Sequence, residues 1–305
     1  MPRFFVDPSQ VCGNKIIIEG SDVNHITKVL RMKIGEELMV CDGTGLDYFC
    51  TIAKLESDAV LCDVCNKWES YSELPVKVTL FQGLPKADKM ELIIQKTVEL
   101  GVYEIVPVAM QRSIAKLDDK KAGRKIERWQ SISESAAKQA GRGIIPKVAE
   151  PMNFAEALEY AKEMDSIIVP YENAKGISYT KEVISEAKAQ SAAKLADATA
   201  AAGASASSEA GNAIKAHASG ASASSEAGTA IEAHASETSS ASESNSSKAC
   251  ARLAIFIGPE GGFADSEIER AKEAGAKLVT LGNRILRTET AGMATLAILM
   301  YEFEA

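Results

Sequence analysis

Apolar residues along this chain follow two rhythms, and the change comes near residue 74. Up to there they arrive in short runs with the length and the β-branched or aromatic content of strands: residues 3–6, 15–18, 38–40, 48–55 and 59–65. Asp42-Gly43 followed by Thr44-Gly45 is a hairpin turn signal between the third and fourth runs. One stretch keeps helical spacing instead. Val23, Ile26, Val29 and Leu30 share a face, with Ser21 or Asp22 available as N-cap. Residues 1–72 are therefore predicted to form a small β-rich domain.

After Leu74-Pro75, strand and helix patterns alternate. Buried strands are predicted at 76–81, 105–110, 166–171, 253–257 and 278–281. Helices are predicted at 90–100 (stopped by Gly101), at about 118–140, at 154–164, and from the Ser266-x-x-Glu269 capping box to Gly275. A last helix, apolar on most faces, runs to about Tyr301. In the 118–140 helix, Trp129 shares a face with Ile126, Ile132 and Ala136, which makes it a core residue and not a base-stacking platform. Strands alternating with helices predict a parallel sheet over 75–305.

Residues 185–249 break the alternation. Of these 65 residues, 23 are Ala and 16 are Ser, and Leu195, Ile214 and Ile231 are the only large aliphatics. GASASSEAGNAIKAHAS (203–219) recurs at once as GASASSEAGTAIEAHAS (220–236), differing at Asn212/Thr229 and Lys215/Glu232. Such a stretch buries too little apolar area to offset an ordering entropy of ~1–2 kcal/mol per residue. It is expected to be a disordered insertion, with transient helix in its Ala-rich first third.

Formal net charge is −8, which by itself argues against a polyanionic partner, but the distribution reverses the inference. Residues 112–147 carry ten Lys/Arg against four acids, a basic patch suited to RNA. No uncharged run reaches membrane-span length, and MPRFFVD lacks a signal-peptide core, so a cytoplasmic protein is expected. Cys62-Asp63-Val64-Cys65 is a lone CxxC in a predicted strand, where residues three apart face opposite sides; no metal is expected. Neither GxGxxG after the first strand nor GxxxxGK[ST] is present, which argues against a dinucleotide fold and a P-loop.

The chemistry concentrates in LAIFIGPEGGFADSEIERAKEAGAKLVTLGNRILRTETAGMATLAILMY, residues 253–301. Its pattern is strand, glycine loop, helix, strand, glycine loop, helix. In a parallel sheet both loops leave carboxyl ends of strands, where open α/β sheets bind ligands. GPEGG alone suits a tight turn. LGNRILRTETA adds two arginines, a glutamate and two threonines between apolar elements, which a turn does not need.

GPEGG followed by LGxRILRxETA resembles the ribosomal RNA uridine-N3 methyltransferases of the RsmE type, in the SPOUT superfamily. The resemblance implies an α/β fold with a SPOUT-type parallel sheet and C-terminal trefoil knot (75–305), preceded by a PUA-like RNA-binding β-barrel (1–72). It implies S-adenosylmethionine bound by Ile257, Gly258, Pro259, Glu260, Gly261 and Gly262 and by Leu281, Gly282, Arg284, Ile285 and Leu286. It also implies methyl transfer to N3 of a uridine in small-subunit (16S) ribosomal RNA, and a homodimer. Arg287 is the candidate to stabilise charge on the base and Glu289 the candidate proton acceptor; Glu289 equally suits a first-turn carboxylate facing a helix dipole. RNA is expected to contact Arg3, His25 and Arg31 on the barrel, and Lys86, Lys89, Arg112 and Arg142. Two rivals fit the same elements: another SPOUT enzyme acting on transfer RNA or a ribose 2′-hydroxyl, or a non-catalytic ribosome-assembly RNA binder.

Overall fold

The computed structural model describes residues 1–114, 119–174, 176–216 and 250–304. The N-terminal unit contains β1 (Arg3–Phe5), β2 (Val11–Cys12), β3 (Lys15–Glu19), a short helix α1 (Ser21–Asn24), β4 (Glu37–Cys41), β5 (Leu46–Leu55) and β6 (Ala59–Glu69). They make one curled sheet in the order β1-β4-β5-β6-β3-β2, antiparallel except for the β1–β4 pair. Register shifts at Phe49/Cys50 and Ile52/Lys54 bend the long β5–β6 hairpin, as bulges do, and curl the sheet around its own core. Alternation decides what enters that core: Ile16 and Ile18 point in, while Lys15 and Glu19 point out. Cys62 is buried and Cys65 exposed, as their spacing requires.

The predicted helix over 21–30 is replaced by a shorter, wider device. Its N-cap is Gly20, with no side-chain cap from Ser21 or Asp22, and after α1 the chain makes a π-helical turn over His25–Val29. Leu30 N–H donates to His25 O at 2.9 Å, closing a loop one residue longer than in an α-helix. The extra residue rotates the later positions off the buried face. Val23 and Ile26 stay in the core, whereas Val29 is 69% exposed and Leu30 turns outward with it. Arg31 follows with φ 54, a left-handed backbone uncommon outside glycine.

The second unit contains β7 (Val76–Gly83), α2 (Lys89–Glu99), β8 (Glu104–Ala109), α3 (Asp119–Ala140), β9 (Lys147–Val148), β10 (Met152–Asn153), α4 (Phe154–Ala161), β11 (Ser166–Pro170), α5 (Ile177–Ala216), β12 (Ala251–Ile257), α6 (Asp265–Glu273), β13 (Lys277–Val279) and α7 (Thr288–Glu304). The strands form one parallel sheet, β10-β8-β7-β12-β11-β13, with β9 also on β8. Each central strand feeds two cores because its side chains alternate. Val78, Leu80, Leu253 and Ile255 face α2, α3 and α7; Phe81, Ala254 and Phe256 face α4 and α6. Phe81 and Phe256 stack at 4.4 Å across the β7–β12 pair. Trp129 is buried in the first of these cores.

Two predicted elements shift. The cap of α6 is Glu267, not Ser266 with Glu269: its carboxylate accepts from Ala264 N–H at 2.8 Å and from Gln111 N–H at 2.8 Å, which ties α6 to the end of β8. The segment expected to be disordered from residue 185 is helical as far as Ala216, continuing α5. Val183, Ile184, Ala187 and Ser191 are buried at the start of α5 and pin it to the sheet. Once those turns are nucleated by packing, alanine extends a helix at little cost. Residues 217–249, which include most of the tandem repeat, lie outside the described residues.

Candidate functional site

All strands of the second sheet run the same way, so β7, β11, β12 and β13 end at one edge. Gly83 ends β7 against the first glycine loop; a Cβ there would sit 2.6 Å from Pro259 N, so only glycine permits this approach. Gly261 packs as tightly, since a Cβ would fall 2.9 Å from Arg112 Cβ. Thr288, opening α7, fastens the bend. Its hydroxyl donates to Gly258 O at 2.6 Å and accepts from Gln82 Nε2 at 2.9 Å, joining β7, the first glycine loop and the last helix. The second loop is held by Thr180 of α5, whose hydroxyl donates to Thr280 O at 2.9 Å.

Between the two loops lies a cavity of about 460 Å³, within the range of small-molecule sites. All eleven residues assigned to the cofactor line it: 257–262, 281, 282 and 284–286. Tyr171, Arg112, Lys89 and Arg287 are also among its lining residues. A space this size, edged by backbone from 258–262 and 281–282, suits a nucleoside with an amino-acid tail.

One charged cluster borders it. Lys89, the first residue of α2, places Nζ 3.0 Å from Glu260 Oε1 and 3.4 Å from Glu289 Oε2. Glu260 also accepts from Lys86 N–H at 3.1 Å. The hydrogen bond to Glu260 raises the Lys89 ammonium above its ordinary value, and the nearby Glu289 charge adds to this. Burial pushes the Glu260 carboxyl up, but hydrogen bonds from backbone N–H groups and from Lys89 outweigh it, and the net shift is downward. Glu289 Oε2 is buried and makes no hydrogen bond. Glu289 stands just behind the cavity lining, joined to it by Lys89.

Residues 72–204 and 209–300 match an RNA methyltransferase domain, and 18–65 match an RNA methyltransferase PUA domain. The ribosomal RNA small subunit methyltransferase E of Bacillus subtilis is 33% identical over 287 residues, covering 94% of this chain and 90% of that protein. The chain belongs to the ribosomal RNA small subunit methyltransferase E family. The Mesomycoplasma hyopneumoniae member is 28% identical over 96% of each chain. Among solved structures, the Neisseria gonorrhoeae ribosomal RNA small subunit methyltransferase E, bound to S-adenosyl methionine, superposes with TM-score 0.66 at 25% identity, covering 99% of this chain and 98% of that one.

Within this family fold the residues expected to hold RNA divide into three groups. Lys89 and Arg112 line the cavity, with Arg112 donating to Gly261 O at 3.3 Å, and Lys86 is exposed beside it, its N–H on the lining residue Glu260. His25 and Arg31 are exposed on the π-turn of the N-terminal sheet. Arg142 is not at an RNA surface, and for it the expectation is corrected; Arg3 is half-buried beside it. Arg142 is 2% exposed; it forks onto Glu73 at 2.9 and 2.6 Å and donates to Val98 O and Val102 O. Arg3 pairs with Asp47 and donates to Arg142 O at 3.0 Å. Both arginines sit in the seam between the two units, where Arg142 is held by Glu73 and two backbone carbonyls. The sequence gives no role to Gln82 or Tyr171, and shows Thr288 only as one of the two threonines of the second loop. A glutamine after the apolar pair Leu80-Phe81, next to the glycine that ends the strand, was the available signal for the first; Tyr171 carried none.

Proposed function

We propose that this chain methylates N3 of a uridine in small-subunit ribosomal RNA with S-adenosylmethionine as donor. The observation that carries the reading is the single cavity wall built by both glycine loops, with Arg287 on it and Glu289 one contact behind. When bound, the cofactor supplies a sulfonium methyl that is displaced in line, its bonding pair staying on sulfur. The protein's own contribution is placement. The backbone at 258–262 and 281–286 fixes the donor, which matters more for this reaction than activating it. Arg287 stabilises the negative charge left on the base, and Glu289 takes the N3 proton.

RNA is gripped at the exposed π-turn by His25 and Arg31 and at the cavity mouth by Lys86 and Arg112. Phosphate contacts of this kind give salt-dependent affinity with little sequence readout. The base itself must leave its stack to enter the cavity. A ribosomal substrate supports a cytoplasmic location. A C-terminal knot is supported by the strand order: the chain goes out to β13 at the sheet edge, then returns past β11 and β12 to pack α7 on α2. A homodimer is supported by half-buried apolar residues of α7, Met293 and Met300, which lie seven positions apart and so on one side of the helix.

Calorimetric titration with S-adenosylmethionine, followed by primer extension on small-subunit RNA after incubation, tests the reading. Saturable heat and a new cofactor-dependent stop are the expected results. No saturable heat would leave only an RNA-binding protein, and cofactor binding with no stop on small-subunit RNA would favour a different member of the fold.

A further inference from the structure

Uracil is an imide at N3, an N–H between two carbonyls. Removing that proton spreads negative charge over O2 and O4, so the site needs a proton acceptor and positive charge near two oxygens. Arg287 serves one of them. A second cation is already paired with the acceptor. Lys89 lines the same cavity as Arg287, keeps about a third of its side chain open, and reaches both Glu260 and Glu289. Glu289 Oε2, buried and without a hydrogen bond, has this ammonium as its nearby counter-charge.

We propose that Lys89 is the second charge-stabilising residue of the reaction, moving its ammonium from the Glu289 carboxylate to a uracil carbonyl oxygen as the N3 proton crosses to Glu289. This rests on reading the cavity as a uracil-N3 methylation site with Glu289 as acceptor. The N3–H bond breaks, its electron pair stays on N3 and is shared with O2 and O4, and the proton binds Glu289. Neutral Glu289 loses its hold on Lys89 while the base gains one, so the cation follows the negative charge. N3 then bonds to the methyl carbon as the carbon–sulfur bond breaks, and the base is neutral again. Glu260 stays ionised throughout, anchored by Lys86 N–H, and tethers Lys89 at the cavity edge.

The same arrangement selects against cytosine. Its N3 lone pair would face the Glu289 carboxylate, and its amino group would face the Lys89 ammonium. Acceptor meets acceptor and donor meets donor, which is how a polar site rejects a near-isostere.

The test is single-turnover methylation across a pH series, on small ribosomal subunits from cells lacking the enzyme, beside calorimetric titration of S-adenosylmethionine. Lys89→Met is expected to slow methylation about 100-fold near neutral pH. Its cofactor affinity stays within about threefold of the parent, the mark of an interaction made only in the transition state. The deficit narrows as pH rises, because N3 then ionises without help, and Lys89→Arg recovers most of the rate. The proposal is overturned if Lys89→Met reacts at the parent rate. It is equally overturned if the rate loss tracks weakened cofactor binding and is constant with pH, as for a residue that only braces the Glu260 loop. If Lys89→Met does not fold, Lys89→Gln against Lys89→Arg decides the point, since both donate hydrogen bonds and one keeps the charge. A parent enzyme that neither binds the cofactor nor methylates the subunit fails before any variant is made, and takes this proposal with it.

Discussion

Arg142 with Glu73 and Lys89 with Glu260 and Glu289 are built from the same ingredients and do opposite things. In the seam between the two units, Arg142 is fully enclosed. Its guanidinium bonds Glu73 twice and also reaches Val98 O and Val102 O, while Glu73 accepts Gly143 N–H at 2.7 Å as well. The Arg142 guanidinium has nothing left to offer a ligand. At the cavity, one ammonium is shared between two carboxylates, an oxygen of Glu289 has no hydrogen bond, and the lysine is a third open. A satisfied buried pair holds a structure, whereas an under-satisfied pair beside a cavity waits for a substrate.

The seam is the place to break that contrast hardest. Removing one partner of a buried, hydrogen-bonded pair strands the other, so Arg142→Ala is expected to destabilise the protein by about 3–5 kcal/mol. Urea unfolding measures it. Arg142→Lys does not rescue, because one ammonium cannot reproduce the fork onto Glu73. A normal unfolding midpoint, with RNA affinity reduced instead, would return Arg142 to the RNA surface.

At the cavity the expected cost is kinetic. Arg287→Ala is expected to lower the single-turnover rate by about 10²-fold while the protein unfolds at its usual urea concentration. Glu289→Gln is expected to lose a similar factor, about 10²-fold, for want of a proton acceptor. Parent-like rates for both variants would reassign Glu289 to the dipole of α7 and Arg287 to a phosphate.

Smaller still is the effect of shape. Gly261→Ala places a methyl 2.9 Å from Arg112 Cβ. Overpacking of this kind costs about 1–3 kcal/mol, and a loop wall that shifts passes part of it to the ligand. Cofactor affinity is expected to fall roughly tenfold by calorimetry with the sheet intact, at about 1.4 kcal/mol per decade. An unchanged affinity would mean that the first loop does not wall the cofactor closely.

The contrast also separates what was legible in the sequence from what was not. The parallel sheet was readable because its strands are apolar runs buried on both faces, such as 253–257 between β7 and β11. The two glycine loops were legible as a ligand site because they lie close in sequence at strand ends, and the family resemblance assigned the eleven residues within 257–286 that line the cavity. The seam was not readable. Glu73 and Arg142 lie 69 residues apart, and an arginine after a basic helix looks the same whether it meets a phosphate or a carboxylate. Lys89 was read as a cation for RNA, since its carboxylate partners come from elements far along the chain. The π-turn was invisible for a different reason. A hydrogen-bond step one residue longer leaves the apolar spacing of Val23, Ile26, Val29 and Leu30 unchanged in the sequence while moving half of them into solvent.

That turn is where the smallest and most specific effect belongs. Arg31 has no carboxylate pairing among the described residues, and it caps an exposed stretch that includes His25, Lys28 and Lys33. If the N-terminal unit grips RNA backbone here, Arg31→Ala weakens subunit binding about equally for every sequence and reduces the slope of log affinity against log salt by about one contact. The backbone adds a second handle. At φ 54 glycine is more comfortable than arginine, so Arg31→Gly removes the charge while relieving the strain. Arg31→Gly is therefore expected to match Arg31→Ala in salt slope and to exceed it in thermal stability. Equal slopes for parent and both variants would move the RNA contact off this turn and leave the cavity mouth, at Lys86 and Arg112, as the polyanion-binding surface.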